Sequence, residues 1–232
     1  LGQPVVVENR VALIAIETVA KAQPDGYTLL VAGNGMWTFP LLQKPSYDPV
    51  RDFSPITLAE MSLLVATVHP SLPVKSIKEL IALAKARPGK LNYASSSNGT
   101  STHIAGELFK AMAGVNIVRV PYKGTGVAIT DLIAGEVQLM FSSPGAVEPH
   151  IKVGRLRALA VTSEHPSALF PTLPTVTASG LPGYEAVGIT CVFAPARTSA
   201  SIIKQLNLEL LRVLSTTDVK ERFTTVRSEV VG

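Results

Sequence analysis

Short apolar segments alternate with amphipathic segments along most of this chain, and the alternation predicts strands and helices in turn. Residues 91–94 form a short apolar run, and after it Ile104, Leu108 and Met112 recur at the spacing of a helix. A second apolar run follows at 117–120 and leads into another helical pattern. This order is typical of a layered α/β domain with a parallel sheet and right-handed connections.

The rest of the chain continues the same pattern. We predict further strands at 4–8, 27–32, 56–68, 137–141, 156–162 and 187–194. We predict further helices at 11–22, after the capping box at 76–79, before Lys152, and at 199–214 and 218–227. The segment 163–184 is rich in Pro, Ser, Thr and Gly, which is typical of a long connection.

A short internal repeat predicts two lobes. At residues 67–70 and again at 192–195 an apolar strand ends in proline, and Ser-Ile follows at the same offset in both places. We interpret these as two equivalent strands, near 63–69 and 187–194, that carry the chain between lobes. Two such crossings would form a hinge, with a ligand cleft between the lobes. Lobe 1 would contain residues 1–69 and 194–232, and lobe 2 residues 70–193.

Small polar side chains follow three of the predicted strands. Residues 95–102 supply six hydroxyl groups in eight positions before a helix, and residues 121–126 and Ser142 with Ser143 follow two later strands. Helix N-termini carry partial positive charge, and open α/β sheets bind ligands where their strands end. We therefore predict an anion site here. The alternative is that Ser101 or Thr102 simply caps a helix.

Composition excludes several classes of protein. The chain has 232 residues, of which 47% are hydrophobic and 16% charged, and no apolar run is long enough for a membrane helix. The net charge of +4 comes from scattered lysines and arginines, and only 6% of residues are aromatic, which disfavours a nucleic-acid surface. The single cysteine, Cys191, allows neither a disulfide within the chain nor a cysteine metal site.

The sequence offers few candidate catalytic groups. It contains no G-x-S-x-G nucleophile motif and no phosphate-binding P-loop motif. His103 and Glu107 share a helix face, but a metal would need at least one more ligand. His103 could donate one N–H to a ligand as the neutral ring, or could merely pack near the helix start. Lys123 could contact a carboxylate, or be an ordinary solvated lysine.

We find no nucleophile, base and orienting group that would form a catalytic set, and we expect no cofactor. Three classes of function stay open at this point. The chain could be a receptor for an organic anion, an α/β enzyme acting on a small anionic substrate, or the receptor domain of a sensor. Only His103 and Lys123 favour the enzyme.

Several segments carry a resemblance to a known family. They are GQPVVVENR (2–10), PDGYTLL (24–30), YDPVRDF (47–53), HPSLP (69–73), residues 91–109, VPYKG (120–124), LRALAVT (156–162), residues 171–184 and FAP (193–195). The chain resembles the Bug-type periplasmic substrate-binding proteins, which are the receptors of the tripartite tricarboxylate transporter system. The resemblance spans essentially the whole sequence.

The resemblance implies a two-lobed Venus-flytrap fold of the periplasmic-binding-protein type, type II-like, with a parallel-rich sheet flanked by helices in each lobe. It implies a monomer that captures a dicarboxylate, an aromatic acid or an acidic amino acid in the periplasm and delivers it to membrane transporter subunits, without catalysis. The site implied by position consists of Asn34, Gly35, Ser96, Ser97, Asn98, Thr100, Ser101, Thr102, His103, Tyr122, Lys123, Gly124, Thr125 and Ser142.

The chain departs from the family in a few places. We expect the family's first strand with its glycine-rich loop, and its last helix, to lie beyond residues 1 and 232, and the signal peptide is not present in this chain. The loop after Arg10 is shorter than in the family. An acidic residue or asparagine is usual near Ser142, and an aromatic residue near Ile189.

Overall fold

The computed structural model describes residues 4–225 and 228–231. These residues form two compact units, one made of the chain up to Met61 together with the chain from Ile189, the other of Ser62–Gly188. The chain passes from one unit to the other within two long strands. The lobe boundaries expected from the sequence stay a prediction.

The helices and strands alternate along most of the chain. The strands are β1 (Leu30–Gly33), β2 (Phe53–Leu63), β3 (Val65–Val68), β4 (Asn92–Ser95), β5 (Val118–Pro121), β6 (Leu139–Ser142), β7 (Arg157–Val161), β8 (Val187–Pro195) and β9 (Glu229–Val230). The helices are α1 (Ala12–Ala20), α2 (Gly35–Leu42), α3 (Ile77–Ala86), α4 (Ser101–Ala113), α5 (Thr125–Ala134), α6 (Pro144–Lys152), α7 (Ala200–Leu214) and α8 (Thr217–Thr225). Among the described residues, no helix is long and apolar enough to cross a membrane.

The first unit has a four-stranded sheet in the order β1-β8-β2-β9. Strand β1 pairs antiparallel with β8, and β2 pairs antiparallel with β9. Its core contains aromatic rings that meet edge to face, with Phe53 between Tyr47 and Phe193. Such contacts add to the stabilisation that burial alone provides.

The second unit has a five-stranded sheet in the order β5-β4-β6-β3-β7. Strands β5, β4 and β6 are parallel, and β3 runs antiparallel to both β6 and β7. Both faces of this sheet are covered. The adjacent residues Met140 and Phe141 belong to separate apolar clusters, because successive side chains of a strand point to opposite faces. The α/β fold with a parallel-rich sheet flanked by helices is thus confirmed.

The capping box predicted at the start of α3 is present in a slightly shifted form. Ser76 Oγ accepts a hydrogen bond from the backbone N–H of Glu79 at 3.2 Å. The Glu79 carboxylate reaches back one residue further than expected and accepts from the N–H of Lys75 at 2.6 Å. Two N–H groups at the helix start are satisfied in this way.

Two predictions near the N-terminus are corrected by the structure. The strand predicted at 4–8 is absent, and its three valines are about as exposed as they would be in an open chain, at 79–82%. Apolar β-branched residues favour a strand only where a neighbouring strand supplies hydrogen bonds and a surface to pack on. Strand β1 begins at Leu30 rather than Tyr27, because Asp25 Oδ1 holds the Tyr27 N–H in a turn. The predicted end of the last helix at Arg227 lies outside the described residues.

Candidate functional site

The polar strand ends of the second unit lie at one edge of its sheet. Strands β4 and β5 are parallel, with Ser95 opposite Pro121, and β4 and β6 are parallel, with Ala94 opposite Met140. The segments that follow β5, β4 and β6 therefore leave the sheet side by side. The structure brings together the predicted site residues from Ser96 to His103, from Tyr122 to Thr125, and Ser142.

Three hydroxyl groups of the loop between β4 and α4 contact one another. Ser96 Oγ lies 2.9 Å from Thr100 Oγ1 and 2.8 Å from Thr102 Oγ1, and the two threonine oxygens are 3.1 Å apart. Thr100 Oγ1 also donates to the Ser97 carbonyl at 2.8 Å. Thr102 Oγ1 accepts from the Ser96 N–H at 3.1 Å. These hydroxyls, which we call the hydroxyl cluster, hold the loop in shape.

The simple capping interpretation of the loop is wrong. The N-cap of α4 is Thr100, and within the described residues its side chain makes no capping hydrogen bond. Gly124, the N-cap of α5, has no side chain that could cap, and in the described part of the chain Ser143 makes no capping hydrogen bond at the start of α6. The first N–H groups of a helix have no acceptor inside the helix. Three helix N-termini thus direct partial positive charge to one edge of the sheet.

Arg119, which the sequence analysis missed, ties the loop to strand β5. Its Nε donates to Ser95 Oγ at 2.6 Å, and its two terminal nitrogens donate to Asn98 Oδ1 at 2.6 Å and to the Ser96 carbonyl at 2.9 Å. The only signal in the sequence was an isolated charge between Val118 and Val120, in an otherwise apolar strand.

His103 is held as a neutral ring. Its Nδ1 accepts a hydrogen bond from the Gly99 N–H at 3.1 Å, so the ring proton lies on Nε2. Partial burial lowers the pKa of His103 below 6.5, and the nearby positive charge of Arg119 lowers it further. This geometry favours the interpretation of His103 as a neutral N–H donor.

Glu107, which shares a helix face with His103, makes its hydrogen bonds elsewhere. Glu107 accepts from the Tyr93 hydroxyl at 2.5 Å and pairs with Lys110 at 2.8 Å. Among residues 4–225 and 228–231, no group of three His, Cys, Asp or Glu side chains is placed to hold a metal ion.

The turn from Tyr122 to Thr125 is anchored on both sides. The Tyr122 N–H donates to the Ser95 carbonyl at 2.9 Å, and its hydroxyl donates to Asp131 at 2.8 Å. Burial, together with this hydrogen bond, raises the pKa of Tyr122 to about 12. Lys123 is exposed, and Gly124 directly precedes α5. Tyr122 therefore fixes the turn rather than pointing a free hydroxyl outward.

A groove of about 670 Å³ lies between α5 and α6 and does not include the hydroxyl cluster. Ile129, Ile133 and Arg155 are among the residues that line it. Of the predicted site residues that the structure describes, only Thr125 is part of this lining. We place the candidate site at the strand ends, where the polar groups gather, and not in this apolar groove.

Ser142 has an unusual environment at the end of β6. It is fully buried, and its Oγ is the only buried side-chain oxygen or nitrogen in the described residues that has no hydrogen-bond partner. A buried polar group without a partner costs on the order of 1–3 kcal/mol. A ligand oxygen beside Ser142 would remove this cost.

Asn34 and Gly35 belong to the first unit. Asn34 Oδ1 accepts from the Ile189 N–H at 3.0 Å, which fixes the segment between β1 and α2 to strand β8. Gly35 opens α2, and a side chain there would press on the ring of Phe39. Their contribution to a ligand site stays a prediction.

Comparison with known proteins gives consistent matches along the chain. A family described as "Tripartite tricarboxylate transporter family receptor" matches residues 1–231. Protein BugT of Bordetella pertussis is 37% identical over 229 residues, which cover 96% of this chain and 70% of BugT. The structure of R. palustris Rpa4515 with adipate has 35% identity and a TM-score of 0.84, over 95% of this chain and 75% of that one. The periplasmic binding protein BugD has 32% identity and a TM-score of 0.82, over 94% and 74%.

Proposed function

Because this chain belongs to the receptor family of the tripartite tricarboxylate transporters, we propose that it is a periplasmic receptor that captures a small organic carboxylate. It delivers this ligand to the membrane subunits of a transporter and does not alter it. The ligand class is a dicarboxylate, an aromatic acid or an acidic amino acid. The adipate held by the similar protein Rpa4515 makes dicarboxylates the first compounds to test.

The observation that carries this proposal is the excess of donors at one sheet edge. Helices α4, α5 and α6 all start there with no side-chain cap in the described residues, and the buried Ser142 hydroxyl lacks a partner there. A carboxylate is an acceptor only, with room for several hydrogen bonds, so it complements such a set of groups. Hydrogen bonds to a charged acceptor are also stronger than neutral ones.

The state of His103 supports binding over catalysis. A histidine that acts as a general base needs an unprotonated nitrogen facing its substrate. Here Nδ1 is occupied by the Gly99 N–H, and Nε2 carries the ring proton. His103 is therefore suited to donate a hydrogen bond to a ligand oxygen, and poorly suited to remove a proton from a hydroxyl or a water.

We propose a site made of Ser96 to His103, the turn from Tyr122 to Thr125, and Ser142. We also propose that the receptor acts as a monomer. In this site the N–H groups of α4 and the Ser142 hydroxyl contact the carboxylate. The hydroxyl cluster and Tyr122 support the loops. We also propose that Asn34 and Gly35 contact a ligand.

A ligand panel with thermal unfolding tests this proposal. Adipate and other C4–C6 dicarboxylates, aromatic acids and acidic amino acids are compared with dimethyl adipate, which has the same chain without charge. A ligand at a hundredfold excess over its Kd stabilises the protein by about 2.7 kcal/mol. We expect at least one acid to raise the melting temperature and to be recovered unchanged, and the diester to have no effect. Conversion of the acid, or binding of the diester alone, would contradict the proposal.

A further inference from the structure

We propose that Arg119 is the positioning residue of the carboxylate site: it binds three acceptor groups of the 95–98 loop and so keeps them from repelling the ligand. This inference rests on the proposed function. It assigns Arg119 a role in shaping the site, without contact between its side chain and the ligand.

The guanidinium group of Arg119 is fully engaged with the loop. Its Nε and both terminal nitrogens donate to three different acceptors, which are Ser95 Oγ, the Ser96 carbonyl and Asn98 Oδ1. All three distances lie between 2.6 and 2.9 Å. A planar guanidinium can reach three acceptors in fixed directions, whereas a lysine ammonium is a single point of charge.

These acceptors are the groups that would repel a carboxylate. The Ser96 carbonyl and the Asn98 side-chain oxygen carry partial negative charge, and they lie directly before the N-terminus of α4. Because Arg119 donates to both oxygens, it offsets their partial negative charge close to the N–H groups at the start of α4.

The positive charge of Arg119 also contributes to the site. Arg119 is half-buried, and in the part of the chain that the structure describes it pairs with no carboxylate. Its positive charge therefore adds to that of three helix N-termini at the same sheet edge. An anion is the ligand that balances this arrangement.

Arg157 offers a matched control in the same unit. Like Arg119, it is half-buried and belongs to an outermost strand of this sheet. It also donates to acceptors of a loop, the carbonyls of Leu72 and Val74, at 3.2 and 2.9 Å. It lies at β7, at the opposite side of the sheet from β5. Replacing either arginine should lower the stability of the protein, but only the replacement of Arg119 should affect ligand binding.

The experiment compares Arg119→Lys, Arg119→Gln and Arg157→Lys by calorimetric titration with adipate, or with the acid that the panel identifies. We expect Arg119→Lys to weaken binding by about tenfold, because the lysine keeps the charge but loses the three fixed hydrogen bonds to the loop. Arg119→Gln should weaken binding by about a hundredfold, because it loses both the charge and these hydrogen bonds. Arg157→Lys should bind within about twofold of the unmodified protein. Unchanged binding by Arg119→Lys would overturn the inference, because charge alone would then suffice.

A measurement without ligand separates failure of this inference from failure of the proposed function. Amide hydrogen exchange of residues 96–99 should become faster in both Arg119 variants and stay unchanged in Arg157→Lys. If no acid binds the unmodified protein, the proposed function fails, and exchange still decides whether Arg119 orders the loop. Equal exchange in all variants would refute the role of Arg119 whatever the ligand.

Discussion

Replacing Ser142 with alanine removes the buried hydroxyl that has no hydrogen-bond partner in the described residues. On folding, this hydroxyl gains no hydrogen bond within the described residues to replace those that it makes with water in the unfolded chain. The penalty for such a group is on the order of 1–3 kcal/mol. Ser142→Ala should therefore leave the free energy of unfolding unchanged, or raise it by up to about that amount.

The same substitution should have the opposite effect on binding. If Ser142 donates to a ligand carboxylate, its loss removes a hydrogen bond to a charged group, which contributes about 1.5–3 kcal/mol. The dissociation constant for adipate, or for the acid identified by the panel, should then rise by roughly 10- to 150-fold. A gain in stability together with a loss of affinity is the signature of a group that is satisfied only by the ligand.

Urea unfolding without ligand and calorimetric titration measure the two effects separately, with Thr162→Val as the control. Thr162 is another buried hydroxyl of this unit, but its Oγ1 exchanges hydrogen bonds with the N–H and the carbonyl of Leu64 at 2.7 and 3.0 Å. Thr162→Val should lose about 1–3 kcal/mol of stability. If Ser142→Ala loses as much and binds as tightly as the unmodified protein, our reasoning about Ser142 is refuted.

Two further predictions concern the same unit. The Cβ added by Gly106→Ala would overlap the buried ring of Tyr93, so this substitution should lower stability by about 1–3 kcal/mol in thermal unfolding. Gly126 has open space around it, so Gly126→Ala should be neutral or slightly stabilising in the same assay. The pKa of His103 lies below its ordinary value of 6.5, chiefly because of burial, so its contribution to stability is present above pH 6.5 and is lost as the pH falls toward the lowered pKa. His103→Gln should therefore lose less stability than the unmodified protein between pH 7.5 and 5 in urea titrations, and equal losses would contradict this assignment.

The periodicity of the sequence was sufficient to predict most elements of the second unit. Strand β6 and helix α4 appear within a few residues of their predicted positions, because their apolar residues repeat at the period of the structure that buries them. The valines before residue 8 show where this reasoning fails. They have strong β preference, but a strand also needs a partner, and the pattern of one segment carries no information about its neighbours.

The meeting of the polar strand ends was predictable from the sequence, but the hydrogen bonds that their side chains make were not. Polar residues at strand ends are visible in the sequence, and parallel pairing brings them to one edge. The role of Arg119 depends on the register that sets Arg119 opposite Tyr93, and the isolated state of the Ser142 hydroxyl depends on what surrounds it after folding. Neither the register nor these surroundings can be predicted from a local sequence pattern.

The hydroxyl-rich loop therefore acts differently from what its composition indicates. Ser96, Thr100 and Thr102 bond to one another, so they have less capacity left for a ligand than the sequence implied. The donors that remain are the N–H groups at the helix starts, whose directions are fixed by the backbone and not by side-chain type. Because a backbone N–H binds any carboxylate oxygen that reaches it, we expect the proposed site to recognise the acid group itself. Discrimination between acids would then come from groups that contact the remainder of the ligand.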